Sequence, residues 1–200
     1  MRTARPFRGD VVSLILLGYR PKLVYRPAPH LDLRRQLGLH GIASVSDCLR
    51  GHPNPDWMAR WDWNRAGCYD AVGLARDAVS PNQQRLTEVF ALWWYPACWT
   101  PEGEERMASI SSIFPRNAPE IDARPTEGET LGWDVIGVYR GAFGFGCSPL
   151  TCNGGVFQEV HNLYALYPNL DAARAAASKI QQAPPEPATY LVVRVDRVSG

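Results

Sequence analysis

A stretch of this chain recurs roughly a hundred residues further on, and a chain that repeats a supersecondary unit is restricted to folds in which two such units pack together. Asn64-Arg65-Ala66-Gly67-Cys68-Tyr69, then Ala75-Arg76-Asp77-Ala78, then the apolar run Val89-Phe90-Ala91-Leu92-Trp93 form one series. Asn162-Leu163-Tyr164-Ala165-Leu166-Tyr167, Ala173-Arg174-Ala175-Ala176 and Tyr190-Leu191-Val192-Val193 answer it. The first two blocks share a spacing of 98 residues, and the third needs only a residue or two more. Upstream, Tyr19-Arg20 answers Tyr139-Arg140, and Ser44 to Cys48 answers Ser148 to Cys152, with Ser and Cys four apart in both. An element order that recurs with drifting loop lengths reads as a duplicated unit.

Two hundred residues, 46% hydrophobic and 20% charged, are enough for one globular domain or two closely packed halves with a sizeable core. The net charge of +1 gives no basic surplus of the kind that marks a nucleic-acid footprint, so no nucleic-acid partner is expected. Lys22 and Lys179 are the only lysines; the arginine bias fits bidentate contacts to carboxylates or phosphates, and it fits codon usage of the source better. Five cysteines, an odd number without framework spacing, point to reduced thiols in a cytoplasmic setting. Arg2, Arg5 and Arg8 ahead of Val11 to Leu17 resemble a signal peptide, but Gly18-Tyr19-Arg20 follows without a small-x-small cleavage site. The apolar run is far below the ~20 residues that cross a bilayer. It reads as a first strand over 11–19, and no membrane span is expected.

Further along, leucines at 31, 33, 37 and 39 suggest a short helix, and Asp56 can cap another that stacks Trp57 and Trp61 on one face. A helix starting near Asp70 and running through Ala78 is expected next, then a strand from Thr87 to Trp99. Gly132 to Arg140 reads as a strand with Trp133 and Val135 on one face and Asp134, Ile136 and Val138 on the other, covered on both sides. Leu170 to Ile180 is a helix capped by Asn169 or Asp171, and Tyr190 to Val198 a closing strand. The fold class expected is α+β: a largely antiparallel sheet, helices on one face, and a pseudo-duplicated strand–loop–helix–strand unit. Residues 1–102 make the first half, 103–130 the connection and 131–200 the second half, packed as one domain.

Two constellations carry the functional expectations. The loop from Gly141 to Gly155 surrounds Cys147 and Cys152 with glycines that permit close backbone approach. Cys152 with His161 would make a thiol nucleophile and its base, although Cys48, the counterpart of Cys152, has no histidine at the corresponding place. A metal held by Cys147, Cys152 and His161 would need a distant fourth ligand, so no metal site and no cofactor is expected. The loop glycines match neither the dinucleotide fingerprint nor a P-loop. The second constellation is aromatic: Trp57, Trp61, Trp63, Trp93, Trp94 and Trp99, with Arg60, Arg65 and Arg76 nearby. Adjacent Trp93 and Trp94 must point to opposite faces of a strand, which puts a large aromatic on each side. Tryptophan beside arginine is the composition of interface hot spots. The expectation is therefore a non-catalytic interaction or structural component that binds another protein through Trp57, Trp61, Trp63, Trp94, Arg60 and Arg65. The rival readings are a small enzyme using Cys152 or Cys147, and a ligand-binding regulatory domain with a cleft between the halves.

Overall fold

The computed structural model describes residues 14–23, 38–41, 43, 44, 46, 68–95, 128–138, 148–151, 160–182 and 188–199. Strands β1 (Ile15–Leu23), β2 (Thr87–Trp94), β3 (Gly128–Val138) and β4 (Thr189–Val198) form one antiparallel sheet in the order β1-β2-β4-β3. Helices α1 (Val72–Asp77) and α2 (Leu170–Gln182) accompany it, with a 3-10 helix over Pro81–Leu86. The class is α+β, as expected. No helix among the described residues is long and apolar enough to cross a membrane.

The element ends shift for identifiable reasons. β1 starts later than the apolar run 11–19 and takes in Pro21. It is an edge strand, and Tyr19 sends its N–H outward to Tyr69, so Pro21, two residues on, lacks an N–H only on the unpaired side. β3 begins at Gly128 rather than Gly132, within the expected connection, because a register break between Thr130 and Gly132 interrupts its alternation. Asp70 does not cap α1: Ala71 stands at the N-cap with no side-chain hydrogen bond. Ser80-Pro81 then opens the 3-10 helix, proline being suited to a first helical turn. In α2 the cap is Asn169, whose Oδ1 accepts the Ala172 N–H at 2.9 Å. The expected helices at 31–39 and around Trp57, and most of the connection, lie outside the described residues.

Both helices lie on one face of the sheet. Ala75 and Ala78 of α1 pack with Val89 and Ala91; Ala173, Ala176 and Ala177 of α2 pack with Val135, Tyr190 and Val192. Ala91 pairs with Asp196, which shares its face with Val192, so the two sets point the same way. The opposite face carries one core that runs across the sheet: Phe90, Leu92, Trp94, Leu191, Val193, Val195 and Ile136, with Cys68 and Leu166 against them. Each such side chain, fully buried, contributes about 1.5–3 kcal/mol.

The two outer strand pairs share a set of contacts. β1 has a register break at Gly18 and β3 at Gly132, and both glycines have positive φ (126° and 151°). The next residue in each strand makes a reciprocal backbone pair beyond the sheet edge: Tyr19 with Tyr69 at 2.8 Å both ways, and Trp133 with Tyr167 at 2.9 and 2.7 Å. Gly18 lies opposite Leu92, Gly132 opposite Val195, and Leu92 and Val195 pair with each other at the centre. Tyr139, matched to Tyr19 in the sequence, lies outside the described residues; the strand residue bonded to Tyr167 is Trp133. At Gly132 an added Cβ would come within 2.7 Å of Asn162 Nδ2 and 2.9 Å of the Tyr167 carbonyl oxygen. Asn162 clamps this spot. Its Nδ2 donates to Leu131 O at 2.6 Å and its Oδ1 accepts from the Tyr164 and Leu166 N–H groups.

Candidate functional site

The helix-bearing face is not one core. The cluster under α1 and the cluster under α2 are separate, and the strand residues between them are polar or aromatic. Strand alternation puts Arg194 and Asp196 of β4 on this face, and register sets Arg194 between Trp93 of β2 and Trp133 of β3. The Arg194 guanidinium lies 5.3 Å from the Trp93 ring centroid. Its Nη2 and Nε donate to Asp196 Oδ2 at 2.7 and 3.2 Å. A carboxylate thus holds the cation flat on an indole, a cation–π arrangement whose attraction grows as water is removed.

This seam is half open. The Arg194 side chain is 29% exposed and Asp196 11%. Trp93 and Trp133 are partly buried at the rims of the two clusters, and Trp133 meets Tyr95 edge-on at 6.5 Å. Two polar atoms here are buried without a hydrogen-bond partner: Trp93 Nε1, a donor, and Asp196 Oδ1, an acceptor. Leaving such a group unsatisfied costs about 1–3 kcal/mol.

The sequence-based candidates fare differently. Trp94, expected on the contact surface, is instead 4% exposed in the core of the face opposite α1 and α2, because the cover over that face reaches across it. Its neighbour Trp93 is the tryptophan turned to the open seam. Trp57, Trp61, Trp63, Arg60 and Arg65 lie outside the described residues, as do Cys147 and Cys152. His161 is half-buried, with Nδ1 2.9 Å from the Asn162 carbonyl oxygen. A carbonyl only accepts, so Nδ1 carries the proton, and in the neutral ring Nε2 is left bare. Cys68 is fully buried.

Ser44 and Ser148, matched to one another in the sequence, meet on a single acid that the sequence did not single out. Asp134 is fully buried; Ser44 Oγ donates to its Oδ2 and Ser148 Oγ to its Oδ1, each at 2.6 Å. The Val135 N–H adds a third bond at 2.8 Å. A buried carboxylate persists only when donors surround it, so this cluster braces two loops against β3. Arg194 and Asp196 also went unremarked, although their signal is present: in Val193-Arg194-Val195-Asp196 the polar residues alternate with valine. Comparison with known proteins finds no matching family model, no matching curated protein and no matching solved structure.

Proposed function

We propose that this chain is a protein-interaction component, built from two copies of a strand–loop–helix–strand unit, that binds a partner protein along the seam between its helices. The observation that carries the reading is Arg194, stacked on Trp93, locked to Asp196 and flanked by Trp133. Aromatic and arginine side chains held rigid before binding lose little freedom on association, which is why they dominate hot spots. In this reading Trp57, Trp61, Trp63, Arg60 and Arg65 also contact the partner.

The duplication rests on the paired features of the sheet: two breaks at positive-φ glycines, two reciprocal tyrosine bridges, and two helices presenting alanines 98 residues apart. A half-turn about the central Leu92–Val195 pair exchanges one set for the other. We infer a reducing, cytoplasmic setting from the odd cysteine count.

The test is quantitative affinity capture from the source cell with wild type, Arg194→Gln and Trp93→Phe, folding being checked by circular dichroism. A partner protein held by wild type and weakened about tenfold or more in both variants is expected. Equal capture by all three folded proteins would remove the seam from the interface.

A further inference from the structure

A cavity of about 460 Å3 opens beside α1, where the 3-10 helix meets β2 and the end of β4. This size falls within the roughly 300–1,000 Å3 of small-molecule sites. Its apolar wall is Val79, Val89 and Val198, and Thr87, Glu88 and Arg76 stand among its polar lining. The α2 side explains why the space exists. Counted from the central Leu92–Val195 pair, Thr87 holds the place of Tyr190, and Val198 holds the place of Tyr95. Tyr95 and Tyr190 are buried together with Leu150 and Val192 under α2. Two tyrosines fill one side of the sheet; a threonine and a valine leave the other side open.

The charged side chains at the cavity differ in how they are engaged. Arg197 Nε donates to Glu88 at 2.8 Å and its Nη1 to Glu129 at 2.7 Å, and the guanidinium lies 5.1 Å from the Tyr164 ring centroid. Burial alone would lower the pKa of Arg197, but the bonds to Glu88 and Tyr164 outweigh it and hold it above the ordinary arginine value. Arg197 is therefore fixed between Glu88 and Glu129, a cluster with one negative charge in excess. Arg76 donates from Nη2 to the Ser199 carbonyl at 2.8 Å and has no carboxylate partner among the described residues. A guanidinium has five N–H donors, so Arg76 keeps its charge and most of its donors for another acceptor.

We propose that this cavity binds a small organic carboxylate, with its apolar body against the three valines and its anionic head on Arg76. A carboxylate matches the flat fork of a guanidinium, and the resulting hydrogen bonds are charge-assisted. The site is separate from the Trp93–Arg194 seam, so either can fail without the other.

The test is isothermal titration calorimetry of the full chain with hexanoate and phenylacetate, with hexanamide and phenylacetamide as neutral matches. Wild type binds at least one of the acids saturably and discriminates against its amide by about tenfold or more. Arg76→Gln, an exposed site, weakens binding by a similar factor. Thr87→Tyr, which places the α2-side residue in the cavity, abolishes it; should that variant misfold, Val198→Leu is read in its place. The proposal is overturned if neither acid binds wild type by about 10 mM, if the amide binds as well as the acid, or if binding survives both the Arg76 and the cavity-filling change.

Discussion

The α1 and α2 sides of the sheet share one set of backbone pairings and differ in what the side chains do with them. On the α2 side a capped helix of 13 residues lays three buried alanines on Val135, Val192 and Tyr190. On the α1 side the helix has six residues, no capping side chain, and an open cavity at its end. The bulge, the bridging tyrosine and the alanine face are common to both sides. Helix length, capping and the filling beneath the helix differ. Stability is therefore concentrated on one side, and the space available to a ligand on the other, as expected where binding regions come from the less stable parts of a fold.

The largest expected effect that probes this contrast is at the bulges. Gly132→Ala must place a Cβ against Asn162, Leu166 and Tyr167 at 2.7–2.9 Å with φ at 151°. A loss of about 4 kcal/mol in urea unfolding is expected. Gly18→Ala meets the same backbone strain at φ 126° and is expected to lose about half as much. Equal losses would mean that the Asn162 clamp adds nothing to the α2 side.

Next come the two residues exchanged between the sides. Tyr190→Thr should cost about 3 kcal/mol by emptying packed core, whereas Thr87→Tyr should shift stability by less than about 1 kcal/mol, since room exists for the ring. Similar penalties for both would break the contrast between filled and open sides. The smallest pair concerns caps. Asn169→Ala should cost about 1 kcal/mol, and Ala71→Asn, at an exposed N-cap with extended backbone, should gain roughly 0.5–1 kcal/mol. Thermal melts of the two variants would show shifts of opposite sign.

The α+β class was legible in the apolar strands and the alanine-rich helix at Leu170; Ala75 and Ala173 each lie buried beneath a helix, and Tyr69 and Tyr167 each bridge a strand. The strand partners were less legible. Gly18 and Gly132 lie outside the constant spacing, since the loops between strand and helix differ in length, and the match of Tyr19 to Tyr139 was drawn instead of Tyr19 to Trp133. Sequence also separated Trp93 from Trp94 by face but could not say which face is closed. That depends on Ala43, Cys68 and Leu166 reaching Trp94 from distant parts of the chain. The cavity beside α1 was illegible for a related reason: threonine and valine become a vacancy only against the tyrosines across the sheet. Asp134 carried no local signal, because its donors come from residues 44 and 148.

The bridging tyrosines have a further consequence for behaviour in a crowded solution. The outermost strand of any open sheet offers a row of free N–H and C=O groups on which another molecule can template, and proteins commonly block it with charge, proline or a covering segment. Here Tyr69 occupies the outward N–H and C=O of Tyr19 on β1, Pro21 removes the next outward donor, and Tyr167 does the same for Trp133 on β3. A foreign strand would first have to displace a buried tyrosine at either border. The segments leading into α1 and α2 thus also seal the two edges of the four strands among the described residues.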